Sequence, residues 1–213
     1  MLQIGVKSQL DQVVAKLAVF DAKQLPFAAS KALNDTANQA KKAVQATMPA
    51  NFTIRRDWIV RGIQVVPATK QALSAIVWSR DEFMGLQETG GDKHPYGKFL
   101  AIPLPGTAIK PTAASIIRPE DYPRNIPATL QAANAPKGTM TAVVTMRNGK
   151  KFIARAALAP TKGKRLELLY YLMPTAHLKP RLDMGLTVAK VVARDFMPNF
   201  ESALNLALST ARP

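Results

Sequence analysis

The sequence has no cysteine and only two histidines, His94 and His177, among its 213 residues. The lack of cysteine excludes disulfides, thiolate metal sites and cysteine nucleophiles. Neither histidine has a second ligand at helical spacing, so we expect no metal site. With so few nucleophile–base combinations in the chain, we also expect no cofactor and no covalent catalysis.

Long apolar runs are also missing. No stretch of 18 apolar residues occurs, so the sequence predicts no membrane-spanning helix. Residues 1–7 (Met-Leu-Gln-Ile-Gly-Val-Lys) do not have the charged-then-apolar form of a signal peptide. We therefore expect synthesis and use in the cytoplasm, with no membrane partner.

Acidic residues are scarce relative to basic ones. The chain has 14 Asp and Glu against 29 Lys and Arg, a formal net charge of +15. Hydrophobic content of 47% with 20% charged residues is nevertheless typical of a globular protein. Because such a surplus repels itself in a compact monomer, it favours a partner that is acidic or polyanionic.

The few acids form no convincing catalytic pair. Asp81–Glu82 and Glu120–Asp121 are neighbours in sequence, and adjacent side chains do not share a face of a strand or a helix. Glu88, beside two glycines, is the one carboxylate of interest, although hydrogen bonding to loop amides is its more ordinary role. We conclude that the sequence is not that of an enzyme.

Three strands in succession dominate the second half, over about residues 139–178. They are predicted at 139–146, 152–159 and 166–173, the first two joined by Arg-Asn-Gly-Lys at 147–150. Asn-Gly is a strong hairpin signal, with both residues expected at positive φ. A Gly-containing connection follows at 160–165, so the three strands should form an antiparallel meander.

Basic residues collect at both connections of this meander, and no acidic residue occurs between Asp121 and Glu167. Such a rim is typical of a protein that meets nucleic acid or an acidic protein surface. Ordinary solvated loops are the alternative interpretation. The candidate contacts with DNA or an acidic partner are Arg147, Lys150, Lys151, Lys162, Lys164 and Arg165.

Helices are predicted at both ends of the chain. Apolar spacing predicts an amphipathic helix at about 7–22, a second from Pro26 to Pro49 and a last one at about 184–211. The second has an alanine-rich stripe, which favours close packing within the chain over a subunit contact. Pro198 should kink or divide the last helix. Trp58 and Trp78 are interpreted as core residues.

Strands are predicted between about 63 and 102, and a turn holding His177 between Pro174 and Pro180. A proline-rich stretch then predicts an extended loop or arm over 103–137, which we expect to order against a neighbouring subunit; a flexible insertion is the alternative. The sequence thus favours one α+β domain, 1–213, with an antiparallel sheet and helices at both ends. The candidate subunit-contact residues are Gly90, Gly91, His94, Tyr122 and Arg124.

Several short motifs resemble a phage family. Residues 32–37 (Ala-Leu-Asn-Asp-Thr-Ala) followed by 53–59 (Thr-Ile-Arg-Arg-Asp-Trp-Ile) resemble the opening of the minor tail protein Z group, tail-completion or neck proteins of long-tailed bacteriophages. Residues 86–91 (Leu-Gln-Glu-Thr-Gly-Gly) with 100–103 (Leu-Ala-Ile-Pro) are similar to a block of related tail proteins. The terminal helix with Phe196, Phe200, Ala203 and Leu204 matches the same layout. The proline-rich segment has no counterpart.

The resemblance implies a structural virion protein that forms a homo-oligomeric ring, expected to be hexameric, in the neck or tail. Such a ring would join the tail tube or terminator to the head connector, around the path of the genomic DNA. A basic lining would then contact phosphates independently of sequence. If the lumen is acidic instead, the basic face would meet an acidic ring of another protein. The alternative function is a non-structural, basic nucleic-acid-binding protein.

Overall fold

The computed structural model describes residues 2–6, 24–105, 107, 117, 122–123, 139–157 and 166–210. Contacts group these residues into two compact units. Unit 1 comprises the described residues up to Gly90 and from Lys179 onward, and unit 2 those from Gly91 to Leu178. The single domain inferred from the sequence stays a prediction, and each unit is described by itself.

Unit 1 contains the described helices and three strands. In chain order these are β1 (Leu2–Val6), α1 (Gln24–Asn51), α2 (Trp58–Arg61), β2 (Ile63–Val66), β3 (Ala75–Ser79), α3 (Met84–Thr89) and α4 (Met184–Thr210). Unit 2 contains six described strands, which are β4 (Gly91–Lys93), β5 (Leu100–Pro103), β6 (Thr139–Thr145), β7 (Lys151–Ala157), β8 (Leu166–Met173) and β9 (Ala176–Leu178).

The core of unit 1 lies mainly between the two long helices. α1 packs along α4, and its buried stripe is rich in alanine. Ala32 and Ala40 of α1 and Ala207 of α4 are fully buried. Because alanine has only a methyl side chain, it permits a close approach of the helix axes. The expected close packing of this stripe within the chain is therefore confirmed.

The three strands of unit 1 form an antiparallel sheet in the order β1-β3-β2. The central strand β3 buries alternate residues, Ala75, Val77 and Ser79, and α1 packs against β2 and β3. Period-two burial is what a strand with one face on a core requires. The strand predicted at 63–66 is confirmed, and β1 is a strand that was not predicted.

The 32–37 motif holds helix α1 in place. The amide of Asn34 donates to the carbonyl of Ala68 at 3.0 Å and accepts from its N–H at 2.7 Å. Thr36, which is buried, accepts a hydrogen bond from the Asn199 side chain of α4 at 2.9 Å. The polar residues of this motif therefore fix the loop after β2 and the register of the two long helices.

Two helix boundaries differ from the expectation. α1 continues through Pro49 to Asn51, so this proline lies in the last turn and does not end the helix. We expected Pro198 to kink or divide the last helix; α4 is continuous across Pro198, so it is not divided, and the kink stays a prediction. A proline removes one backbone donor, and the hydrogen bonds of Asn199 to Thr36 and Gln39 tie the next turn of α4 to α1. Packing therefore outweighs the local cost.

The largest sheet of unit 2 has four antiparallel strands in the order β5-β8-β7-β6. The predicted meander is present as β6, β7 and β8 with antiparallel pairing throughout. β4 and β9 form a separate two-stranded ribbon. The α+β class is thus confirmed, with the described strands distributed over three antiparallel sheets. Among the described residues, no helix is long and apolar enough to cross a membrane.

The β6–β7 turn differs in detail from the predicted Asn-Gly type. Of its two central residues only Gly149 has positive φ, at 76°, whereas Asn148 does not. The N–H of Gly149 donates to the carbonyl of Met146 at 2.9 Å, and the N–H of Met146 donates to that of Lys150. A type I turn followed by a left-handed glycine explains this pattern. Asn148 instead accepts from the N–H of Lys150 through its side chain.

Two further expectations are corrected. Trp58 is not a core residue, because 43% of it is exposed and its ring contacts Phe83 edge-on. His177 lies in strand β9 and not in a turn. The predicted helix at 7–22 and most of the 103–137 segment lie outside the described residues.

Candidate functional site

Three of the predicted basic residues lie at one end of the unit 2 sheet. Arg147 and Lys150 are exposed in the β6–β7 turn, and Lys151 begins β7. We call this group, together with the aromatic rings beside it, the hairpin end. The turn places these cations next to one another because its backbone hydrogen bonds close the loop over four residues.

Aromatic rings flank both lysines of the hairpin end. The Nζ of Lys150 lies 5.9 Å from the centre of the Tyr171 ring, and the Nζ of Lys151 lies 5.0 Å from that of Phe99. Phe152 and Tyr171 are stacked, with ring centres 5.1 Å apart and planes 28° apart. Ammonium groups near ring faces gain a modest attraction that holds the long side chains over the sheet.

The charge of the hairpin end is unopposed by nearby acids among the described residues of the sheet. Glu167 of β8 pairs in register with Arg155, four residues beyond Lys151. At about 3.3 Å per strand residue, this acid is roughly 13 Å along the sheet from the lysine. That separation exceeds the Debye length of about 8 Å at physiological salt. The hairpin end is therefore a local source of positive potential.

A row of apolar side chains crosses the sheet beside Lys150. Ile102, Tyr171, Phe152 and Val144 are neighbours in register, one from each of the four strands. Each is partly exposed, Ile102 to 38%. The sequence analysis did not single out this row. The row could have been predicted from strand alternation, because Phe152 and Ala154 of β7 lie on one face, and Lys150 just before the strand continues the same pattern.

The other three predicted basic residues, Lys162, Lys164 and Arg165, lie outside the described residues, as does Arg124 of the predicted subunit-contact set. The structure therefore brings together Arg147, Lys150 and Lys151 from the six predicted contacts, and the role of the remaining three stays a prediction.

Three of the predicted subunit-contact residues, Gly90, Gly91 and His94, lie in or next to strand β4. Gly90 follows α3 with φ of 71°, and Gly91 begins β4 with φ of 123°, so both need the conformational freedom of glycine. His94 follows β4 and is exposed, while Tyr122 is half-buried. Within the ribbon, His177 and Asp92 form a hydrogen bond of 2.9 Å between exposed side chains.

Glu88 binds backbone amides, which the sequence analysis named as its more ordinary role. Its carboxylate accepts hydrogen bonds from the backbone N–H groups of Met184 at 2.7 Å and Gly185 at 2.8 Å. These are unpaired donors of the first turn of α4, where negative charge is favourable. Glu88 is therefore a helix cap supplied from α3, distant in sequence from the helix that it stabilises.

Two further features of the described residues concern potential metal ligands and carboxylates with a shifted pKa. No group of three or more His, Asp or Glu side chains there could hold a metal ion. Arg194 donates hydrogen bonds to both carboxylate oxygens of Asp195, at 2.7 and 2.8 Å. This contact lowers the pKa of Asp195 below its ordinary value and raises the pKa of Arg194. On α4, Arg194 is exposed and Asp195 is half-buried.

Comparison of the chain with protein-family models, curated proteins and solved structures gave no match.

Proposed function

We propose that the chain is a non-enzymatic structural protein of the neck or tail of a long-tailed bacteriophage. It assembles into a ring that joins the tail tube or terminator to the head connector around the DNA path. The observation that carries the proposal is the hairpin end, where Arg147, Lys150 and Lys151 present positive charge at one end of the sheet, without a nearby acid among the described residues of that sheet. The net charge of +15 shows that the whole chain, like the hairpin end, is strongly basic.

The motif resemblance is the second support. Asn34 and Thr36 of the 32–37 motif anchor α1 to its surroundings, and Glu88 of the 86–91 block caps α4. These motif residues thus stabilise the fold, which suits a protein whose function is assembly. DNA contacts made by the hairpin end would be independent of base sequence and sensitive to salt.

The oligomeric state tests the ring. Light scattering coupled to size exclusion should give a closed multiple of the 23.1 kDa chain mass, six subunits for the expected hexamer. A protein that stays monomeric alone and with tail proteins contradicts the proposal.

Charge removal at the hairpin end tests the DNA path. The triple variant Arg147→Gln, Lys150→Gln, Lys151→Gln should keep the mass of the oligomer and lose affinity for duplex DNA. The negative slope of log affinity against log salt should become shallower by about 3, close to one for each lost phosphate contact. The matched control changes three exposed cations of unit 1, Lys42, Arg61 and Lys190, to glutamine.

Particle assembly separates DNA from an acidic protein as the contact of these residues. In phage carrying a quadruple glutamine variant at Lys150, Lys151, Lys164 and Arg165, particles should assemble but retain or eject their genome poorly. If assembly itself is lost, the basic residues lie in a protein interface, and the predicted contact with DNA is wrong.

The second candidate is a free nucleic-acid-binding protein, which the apolar row beside Lys150 favours. Bases of a single strand stack on exposed aromatic rings, each worth about 1–3 kcal/mol. If the chain is monomeric, prefers single-stranded over duplex DNA, and loses that preference on Tyr171→Ala or Phe152→Ala, this second function replaces the first. Equal binding of both forms by an oligomer favours the ring.

A further inference from the structure

A groove in unit 1 was not used in the function proposed above. It has a volume of about 330 Å³ and lies beside α2 and α3. Its lining comes from the segment after α1, from α2, from α3 with the residue before it, and from the segment before α4. The lining residues are Phe52, Thr53, Ile54, Arg55, Ile59, Phe83, Met84, Gln87 and Arg181.

Apolar side chains form most of this groove. Met84 is fully buried, Ile54 and Ile59 are half-buried, and 42% of Phe83 is exposed. The exposed Trp58 lies against Phe83, with ring centres 6.2 Å apart at an interplanar angle of 78°. Two partly exposed aromatic rings at the edge of an apolar concavity are typical of a surface that a partner covers.

Arginine supplies the charge of the groove. The guanidinium carbon of Arg181 lies 5.2 Å from the centre of the Phe52 ring, and the guanidinium donates a hydrogen bond to the carbonyl of Asn51. The backbone N–H groups of Arg181 and Leu182 both donate to the carbonyl of Gln87, at 2.7 and 2.9 Å. The cation is therefore held over the groove by its own backbone and by the ring beneath it.

The described lining of the groove carries a net positive charge. It includes Arg55 and Arg181 and no acidic residue. Asp57 and Glu82 flank the lining in sequence, are exposed and do not line it. A guanidinium held above an apolar floor matches a carboxylate with a large apolar side chain next to it, because arginine pairs with planar carboxylates in a fixed geometry.

We propose that this groove docks an acidic peptide segment of a neighbouring protein, with an aromatic or large aliphatic side chain on Phe83 and Ile54 and a carboxylate on Arg181. The inference rests on the proposed function for the existence of such a neighbour, and names the chemistry of its contact. It concerns unit 1 alone, so its test is independent of DNA binding.

The test uses an eight-residue fluorescein-labelled peptide with three acidic residues around one phenylalanine, titrated with the full chain and followed by fluorescence anisotropy. Saturable binding is expected, with a dissociation constant between about 10 µM and 1 mM. Two control peptides replace either the acids by their amides or the phenylalanine by serine, and each should bind at least tenfold more weakly. Equal binding of all three peptides overturns the proposal.

Variants of the chain locate the binding. Arg181→Gln and Phe83→Ser should each weaken the acidic peptide about tenfold, whereas Arg181→Lys should weaken it less. The matched controls are Lys190→Gln and Leu186→Ser, which change an exposed cation and an exposed leucine on α4. Thermal unfolding of each variant shows whether the fold is kept. Unchanged binding by folded Arg181→Gln and Phe83→Ser overturns the groove as the site.

Two further outcomes assign the groove to another occupant and so overturn the proposal. A single-stranded oligonucleotide that displaces the peptide from the wild type, with the same dependence on Arg181, indicates a nucleic-acid site. Dissociation of the oligomer by Phe83→Ser in light scattering indicates that the groove receives a second copy of this chain. If the wild type is monomeric and still binds the peptide, the proposal for the groove is supported and only the proposed ring is contradicted.

Discussion

Unit 1 and unit 2 differ in the amount of apolar surface that their described residues bury. The core of unit 1 runs through both long helices and the sheet, with Leu33, Met48 and Phe200 among its large members. In unit 2 the fully buried apolar cluster consists of Ile153, Leu169 and Tyr170. Because burial of apolar surface is the main favourable term in folding, helix packing dominates the stability of unit 1.

The comparison also separates the surfaces that can serve function. In unit 2, Phe152, Tyr171 and Ile102 remain partly exposed on the sheet, next to the cations of the hairpin end. Among the described residues of unit 1, Trp58 and Phe83 beside the groove are exposed aromatic residues, while exposed aliphatic side chains such as Leu186 and Leu206 lie on α4. Each unit thus combines exposed aromatic rings with basic side chains, on a sheet in one and in a concavity in the other.

The largest expected effect comes from the core of unit 1. Leu33→Ala should lower the free energy of unfolding by about 2–5 kcal/mol, because it leaves a cavity under α1 that close-packed alanines cannot fill. Hydrogen exchange followed by mass spectrometry should show lost protection in α1 and α4. Leu169→Ala is the counterpart in unit 2 and should act on β7 and β8. The contrast between the units fails if both variants lower protection equally throughout the chain.

The cap of α4 gives the next largest effect. Glu88→Ala should destabilise unit 1 by about 1–3 kcal/mol, because it leaves two backbone donors at the helix start without their charged acceptor. Glu201→Ala, an exposed acid within α4, is the control and should change stability by less than about 0.5 kcal/mol. Urea denaturation measures both. Equal effects of the two variants would show that the cap contributes nothing specific.

A smaller effect is expected at the hairpin end. Gly149→Ala should cost about 1–2 kcal/mol, because φ of 76° places an L side chain in the left-handed region. Gly97→Ala is the control, since a methyl group there meets no atom within 4 Å and no positive φ is required. Exchange of the β6 and β7 amides is the measurement. No change in those amides with Gly149→Ala would contradict the turn geometry.

The smallest effect concerns the pH dependence of unit 1. Since the folded pKa of Asp195 is below its ordinary value, its contribution to stability is present above the unfolded pKa and is lost as the pH falls through the folded pKa. Carbon-13 detected titration of the Asp195 carboxyl should show this low pKa. In Arg194→Gln the pKa should return toward the ordinary aspartate value. A titration that the substitution leaves unchanged excludes Arg194 as the cause.

Periodicity predicted the regular elements well where a single pattern decided them. The strands at 63–66 and 166–173 and the meander follow from alternation and the turn at Gly149. The helix ends were less predictable, because α4 passes through Pro198 only with packing against α1 to offset the lost hydrogen bond. Trp58 was misplaced for a similar reason, since its apolar character does not tell whether a partner element of the same chain covers it.

The candidate sites divide in the same way. Arg147, Lys150 and Lys151 could be named from the sequence because a turn keeps adjacent residues together. The aromatic rings beside them come from β7, from β8 and from Phe99, just before β5. The groove is lined by segments more than 100 residues apart in the sequence, from Phe52 to Arg181. No local sequence pattern indicates contacts between residues so far apart in the chain.

By itself, the sequence determined the α+β class, the alanine-rich helix stripe, the meander and the surplus of positive charge, because composition and local periodicity set these directly. Only the tertiary structure decided that Glu88 caps α4, that Lys150 lies over Tyr171, and that Arg181 stands above Phe52. These contacts join residues far apart in the chain, and their energies depend on distances that exist only after the chain has folded.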